Sequence, residues 1–147
     1  MARPKSIRKL LSANDTGETG GHQAGILVPK ADEILSFFPD LGCDEKNPRV
    51  TIHFEDEGSR TWKFTFIYYN NKFFGGTRNE YRLTGMTAYF RENGLVSGDS
   101  VILSRDNEDS YSIRYERKNK VNVKQVSADG KSSVRLVIGG GWKVIDY

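Results

Sequence analysis

The chain has 147 residues, enough for one domain with its own core, and carries a formal net charge of +3. Hydrophobic residues make up 37% and aromatics 12%, which argues against disorder of the whole chain. Cys43 is the single cysteine, so no intramolecular disulfide forms, and with His22 and His53 far apart it makes a poor zinc site. No apolar run is long enough to span a bilayer and the basic N-terminus lacks a signal-peptide core, so a cytoplasmic protein without membrane contact is expected.

Residues 7–28 place short apolar pieces around a polar centre. Ile7, Leu10 and Leu11 come first, residues 12–23 are polar and rich in glycine, and residues 24–28 are apolar again up to Pro29. This predicts strand, long loop, strand, and so long a loop inside a compact domain is often functional. Residues 30–38 read as a helix, with Ile34, Leu35, Phe37 and Phe38 on one broad face and Pro39 as its end.

Residues 49–54 alternate, with Val50, Ile52 and Phe54 facing one way and His53 either exposed or a structural partner on the other face. Trp62, Phe64 and Phe66 alternate next against Lys63 and Thr65. Tyr68 and Tyr69 can stack on bases or, beside Phe66 and Ile67, pack in the core. Asn70-Asn71 is a turn signal, and Phe73 and Phe74 restart the apolar pattern. Residues 84–93 read as a second helix: Thr84 is its N-cap, Met86, Tyr89 and Phe90 share a face, and Gly94 takes the left-handed position at its end.

Strands resume after Gly98-Asp99. Val101 and Leu103 alternate with Ile102 and Ser104, residues 106–109 make a polar turn, and Tyr111, Ile113 and Tyr115 share a face. Val121, Val123 and Val126 suggest another strand before an Asp129-Gly130 turn. Val134, Leu136 and Ile138 follow, then Gly139-Gly140-Gly141 and a short apolar end. The periodicities predict a mainly β domain of about seven or eight mostly antiparallel strands and two short helices. Without a β-α-β rhythm, the economical solution is a partly closed barrel with helices plugging its ends.

Residues 76–82, Gly-Thr-Arg-Asn-Glu-Tyr-Arg, carry the most specific chemistry. An extended backbone puts Arg78, Glu80 and Arg82 on one side. Arginine can donate to guanine O6 and N7, and glutamate can accept from cytosine N4, so this edge could read G·C pairs in a major groove. The alternative is a solvated ladder of surface charges. Arg3, Lys5, Arg8 and Lys9 form one basic stretch. Arg114, Arg117, Lys118, Lys120 and Lys124 form another, interrupted by Glu116, while acidic residues gather at 40–45 and 55–57. That polarity suits phosphate attraction and equally suits surface solvation.

Catalytic motifs fail. Gly130-Lys131-Ser132 resembles the end of a phosphate-binding loop, but position 125, where that loop needs glycine, is Gln125. Pro39-Asp40 and Asp44-Glu45-Lys46 echo a nuclease signature, yet the three residues between cannot build the strand pair that joins metal-binding carboxylates. No serine has a nucleophile-elbow context. His22 in the Gly-rich loop could be a base, a DNA contact or a hydrogen-bonding partner of its own loop.

Two segments carry a family resemblance. Leu11-Ser12-Ala13-Asn14-Asp15-Thr16-Gly17-Glu18-Thr19-Gly20-Gly21-His22-Gln23-Ala24-Gly25 resembles the start of the N-terminal effector-binding domain of bacterial EcoRII-like restriction endonucleases. Ile67-Tyr68-Tyr69-Asn70, Phe74-Gly75, Thr77-Arg78-Asn79-Glu80, Arg82 and Thr84 resemble its second hallmark. The resemblance covers residues 7–119. It implies a DNA-binding pseudobarrel, shared with plant auxin-response factors, that grips duplex DNA with two arms in the major groove. The arms would be residues 12–23 and 76–82, and the preferred duplex CCWGG.

The resemblance implies base reading by Arg78, Asn79, Glu80 and Arg82, with Asn79 either reading a base or bracing the arm. Asn14, Asp15, Thr16, His22 and Gln23 would read bases from the first arm. Lys5, Arg8, Lys9, Ser12, Thr19, Lys72, Thr77 and Tyr81 would meet the DNA backbone. Gly76 and Tyr81 stand where the family leads one to expect basic residues. The domain would occupy residues 1–138, with 139–147 a linker or terminal strand toward a covalently linked nuclease domain. No catalytic residue and no cofactor is expected in the chain itself, Mg²⁺ belonging to that nuclease domain. A self-contained metal-dependent nuclease, a transcription regulator and a protein-binding module are the rival readings.

Overall fold

The computed structural model describes residues 3–18, 25–118 and 137–147. Nine strands form one sheet among these residues: β1 Ser6–Leu10, β2 Ile26–Val28, β3 Arg49–Glu55, β4 Thr61–Tyr69, β5 Glu80–Thr84, β6 Ser100–Arg105, β7 Tyr111–Glu116, β8 Val137–Ile138 and β9 Trp142–Asp146. Their order is β2-β5-β4-β3-β7-β6-β1-β9-β8, antiparallel throughout except for the short parallel pairing of β3 with β7. Three short helices complete it: α1 Ala13–Thr16, α2 Asp32–Leu35 and α3 Thr87–Glu92.

The β3–β4 hairpin shows how alternation becomes a core. Val50 pairs with Phe66, Ile52 with Phe64 and Phe54 with Trp62, so one face of both strands is apolar. Asp56 closes the hairpin by accepting the Gly58 and Arg60 amides at 2.8 and 2.9 Å. Across the barrel, Phe38 stacks on Phe66 at 4.4 Å and meets Trp142 edge-on. Such aromatic pairs add about 0.5–1.5 kcal/mol each beyond the area they bury.

One long-range bond marks the curvature of the sheet. β9 and β2 stand near opposite ends of the strand order, yet the Trp142 indole donates to the Leu27 carbonyl at 3.0 Å. The sheet therefore curls until its ends meet over the core, giving the mainly β pseudobarrel. β9 lies in the sheet beside β1, with Trp142 and Val144 buried, so part of segment 139–147 is built into the fold.

Several local expectations are corrected. The helix at 30–38 shrinks to α2, because Phe37 and Phe38 donate three residues back rather than four and Ser36 Oγ bonds the Asp32 carbonyl. Ile34, Phe37 and Phe38 are nonetheless buried. Thr84 is not an N-cap: it ends β5, its hydroxyl donating to the Thr65 carbonyl, and α3 begins at Thr87. Gly94 does adopt the left-handed conformation, φ +63°. Phe73 and Phe74, where the apolar pattern restarts, form a 3-10 turn with Asn71 and Lys72. The long polar loop also holds a third helix, α1. The predicted elements at Val121, Val123, Val126, Asp129-Gly130, Val134 and Leu136 lie outside the described residues, as do Gln125, Lys120, Lys124 and Gly130-Lys131-Ser132.

Candidate nucleic-acid interface

The second arm is rooted by a buried asparagine. Asn70 is fully buried; its Oδ1 accepts the Asn47 amide at 2.7 Å, its own amide donates to Asn47 Oδ1 at 3.2 Å, and its Nδ2 donates to the Glu45 carbonyl. A turn signal in the sequence is thus a reciprocal clasp. Asn71 then shapes the tip: its Oδ1 accepts the Arg78 amide at 2.7 Å and its carbonyl accepts the Gly76 amide at 2.7 Å. A Cβ on residue 76 would come within 2.9 Å of Asn71 Cγ. A side chain here would have to displace Asn71, so the turn favours the glycine found where a basic residue was expected.

From this base the strand presents its charges. The Arg78 guanidinium sits over the Tyr69 ring, 3.8 Å from the centroid. Arg78 Nη2 and Arg82 Nε both donate to Glu80 Oε2 at 2.7 Å, and Arg82 Nη1 donates to the Gly25 carbonyl at 2.9 Å. The hydrogen bond from Arg78, followed by that from Arg82, lowers the Glu80 pKa despite partial burial. Glu80 is therefore an ionised acceptor, and each arginine keeps most of its five N–H donors available.

The opposite face does different work. Tyr81 stacks on Tyr68 at 4.1 Å with rings 5° apart and on Phe66 at 5.6 Å, and burial raises its pKa. The Tyr68 hydroxyl donates to Asn79 Oδ1 at 2.7 Å. Tyr81 and Asn79 therefore do not share the face of Arg78, Glu80 and Arg82. Tyr81 packs where a DNA-backbone contact was expected, and Asn79 Oδ1 is engaged by the Tyr68 hydroxyl.

The first arm opens with a capping box on α1. The Asp15 amide donates to Ser12 Oγ at 3.1 Å and the Ser12 amide to Asp15 Oδ2 at 2.9 Å. Lys9 lies beneath, 6% exposed, its ammonium 3.1 Å from Asp15 Oδ2 and bonded to the Leu10 and Gly140 carbonyls. This corrects the reading of Lys9 as a phosphate contact: its charge is enclosed and neutralised. Thr16 Oγ1 donates to Glu18 Oε2 at 2.6 Å, and the same oxygen accepts the Ser97 amide. Asn14 is exposed on α1. Thr19, His22 and Gln23 lie outside the described residues.

The arms flank a cleft of about 340 Å³ whose walls include Asp15, Gly25, Tyr69, Arg78, Met86 and Phe90. Gly25, at φ +92°, lets the first arm return against β5; a Cβ there would lie 2.6 Å from the Leu83 carbonyl oxygen. Lys5, Lys72 and Thr77 are exposed. Arg8 projects from β1 and pairs with Glu116 at 2.6 Å. The second basic run is partly structural, since Arg117 donates to the Asn93 and Gly94 carbonyls at the end of α3. Among the described residues no His, Cys, Asp and Glu side chains gather in a metal-binding group, and no helix is long and apolar enough to cross a membrane.

The Arg-Glu-Arg face is legible in the sequence, whereas the Tyr69 platform, the Asn47–Asn70 clasp and the enclosed Lys9–Asp15 pair emerge only in the fold. The adjacent tyrosines offered a signal for the first; nothing local signalled the others.

The family described as "Restriction endonuclease EcoRII, N-terminal" matches residues 5–114. The chain is 43% identical over 88 residues to the type II restriction enzyme EcoRII of Escherichia coli, covering 56% of this chain and 22% of that enzyme. It is 28% identical over 117 residues to auxin response factor 10 of Arabidopsis thaliana, covering 78% of this chain and 15% of that protein. It thus spans less than a quarter of the length of either relative. The solved Arabidopsis FUS3-DNA complex contains the same fold, with a TM-score of 0.57 and 23% identity over 75% of this chain and 94% of that one. The chain belongs to the EcoRII N-terminal family.

Proposed function

We propose that this member of the EcoRII N-terminal family is a sequence-specific duplex-DNA-binding domain that reads base edges with Arg78, Glu80 and Arg82. The observation that carries the reading is the convergence of both guanidinium groups on Glu80, on an exposed arm facing a cleft shared with the first arm. The arginines suit guanine O6 and N7, and the ionised Glu80 suits cytosine N4. Their mutual bonds hold all three in place while leaving donors for the duplex, which reduces the ordering cost of binding. Lys5, Lys72, Thr77 and Arg8 are the phosphate-facing candidates, and Asn14 and Thr16 the described base-facing candidates of the first arm.

In its finer form, the domain recognises CCWGG as an effector site, both arms enter the major groove, and a covalently linked nuclease domain cuts elsewhere with Mg²⁺. The family description and the 43% identity to EcoRII support this form. Selection from random duplexes tests it. Enrichment of CCWGG is expected, and a winner unrelated to it removes the specificity claim. The pure chain with Mg²⁺ should leave the winning duplex uncut; cleavage would favour a self-contained nuclease.

A transcription regulator is the second reading, favoured by the similarity to an auxin response factor over most of this chain. The sequence encoded beyond Tyr147 separates the two: a nuclease domain supports the first and an activation or dimerisation segment the second.

A further inference from the structure

Six of the eight phenylalanines, at positions 37, 38, 54, 64, 66 and 90, are buried to 4% exposure or less. Phe73 and Phe74 are 62% and 44% exposed. These two side chains contribute little to the core, yet their backbone is firmly held. The Phe73 amide donates to the Asn70 carbonyl at 3.0 Å, and the Lys72 amide donates to the Arg78 carbonyl at 2.9 Å. The aromatic tip is therefore pinned to the arginine that heads the charged face.

The surroundings of the pair narrow its partner. Lys72 Nζ stands 5.9 Å from the Phe73 ring centroid, and the Arg78 backbone carbonyl anchors the same turn while its guanidinium lies over Tyr69. Exposed apolar rings with a cation beside them match a surface that is anionic along its rails and apolar at points between them. A DNA major groove is such a surface, and the thymine C5-methyl is the apolar group that its four bases expose there. A glycine follows on each of the next two positions, so no further side chain stands between the rings and Thr77.

We infer that Phe73 and Phe74 form an apolar subsite for thymine methyl groups of the bound duplex, beside the G·C-reading charges. This inference rests on the DNA-binding reading proposed above. It adds an A·T-sensing element that the Arg-Glu-Arg face lacks, and so extends readout past the guanines and cytosines.

The experiment uses the whole chain and the duplex it selects from a random pool, prepared with thymine or with deoxyuridine throughout the site and its flanks. The exchange removes methyl groups and leaves base pairing intact. Each methyl buried by the rings should be worth about fourfold in affinity, from roughly 0.8 kcal/mol per buried carbon at tenfold per 1.4 kcal/mol. The wild-type chain is expected to prefer thymine, F73A/F74A to bind both duplexes alike, and F73L/F74L to keep part of the preference. F73A/F74A should still discriminate against duplexes with exchanged G·C pairs. Equal binding of both duplexes by the wild type overturns the inference while leaving site-specific binding intact. A thymine preference that survives in F73A/F74A also overturns it, because the methyl groups would then be read elsewhere. Failure of the wild type to select any duplex would instead sink the underlying DNA-binding reading.

Discussion

The Arg78 guanidinium is held 3.8 Å from the centroid of the Tyr69 ring while its Nη2 donates to Glu80 at 2.7 Å. Two independent contacts thus aim a long, flexible cation before any ligand arrives. A cation over an aromatic face gains about 0.5–1 kcal/mol at exposed sites. Tyr69 comes from the end of β4 and Glu80 from the start of β5, so the hairpin itself sets the direction of Arg78.

Tyr69→Leu is therefore expected to weaken binding of the selected duplex by about 1 kcal/mol and to narrow the gap between matched and mismatched duplexes. Tyr69→Phe keeps the ring and should behave like wild type. Titration of both variants on both duplexes checks this; an unaffected leucine variant would deny Tyr69 its positioning role.

Arg78→Ala and Glu80→Ala should each cost about 1–3 kcal/mol on the matched duplex and relax preference at one base pair. Uniform losses on every duplex would count against direct reading.

Glu80 also makes an acid-sensitive contribution. Its folded-state pKa is depressed, so its stabilising effect is complete above the unfolded-state value and is lost as pH falls through the lower folded value. Thermal unfolding of wild type and Glu80→Gln should differ most above the ordinary carboxylate range and converge only as acidification carries the pH through the depressed folded value. A gap that stays constant to low pH would remove the ionised Glu80 from this role.

Lys9→Met should destabilise the domain by about 3 kcal/mol or more, because it leaves the Asp15 carboxylate without its enclosed cation. The slope of log affinity against log salt should stay at the wild-type value, since the ammonium meets no phosphate. A slope reduced by about one would return Lys9 to the phosphate contacts.

Gly76→Lys adds a positive charge to the arm yet should weaken selective binding. Its Cβ would displace Asn71, whose Oδ1 holds the Arg78 amide, and a lost hydrogen bond of this kind costs about 1 kcal/mol. Tighter binding to the matched duplex alone would show that the arm absorbs the change.

Much of the strand pattern was legible because a period of two is a local property. Val50, Ile52 and Phe54 declare one face, and Trp62, Phe64 and Phe66 declare its partner. Helix ends were less legible. Ser36 and Thr84 can bond nearby or cross-strand carbonyls, and those bonds shortened one helix and kept Thr84 in a strand.

The residue order by itself determined that Arg78, Glu80 and Arg82 share a face, since side chains on an extended backbone must alternate. It also carried the family through two matching segments in the same order. Only the tertiary structure decided what those charges rest on and which cations remain open to a ligand. Asn47 meets Asn70 across 23 positions, Leu27 meets Trp142 across 115, and Lys9 meets Gly140 across 131. A basic side chain reads the same in sequence whether it is solvated or enclosed. Burial among groups distant along the chain distinguishes the two, and that arises when strands far apart in sequence pair, as β1 does with β9, and when the curled sheet brings β2 to Trp142.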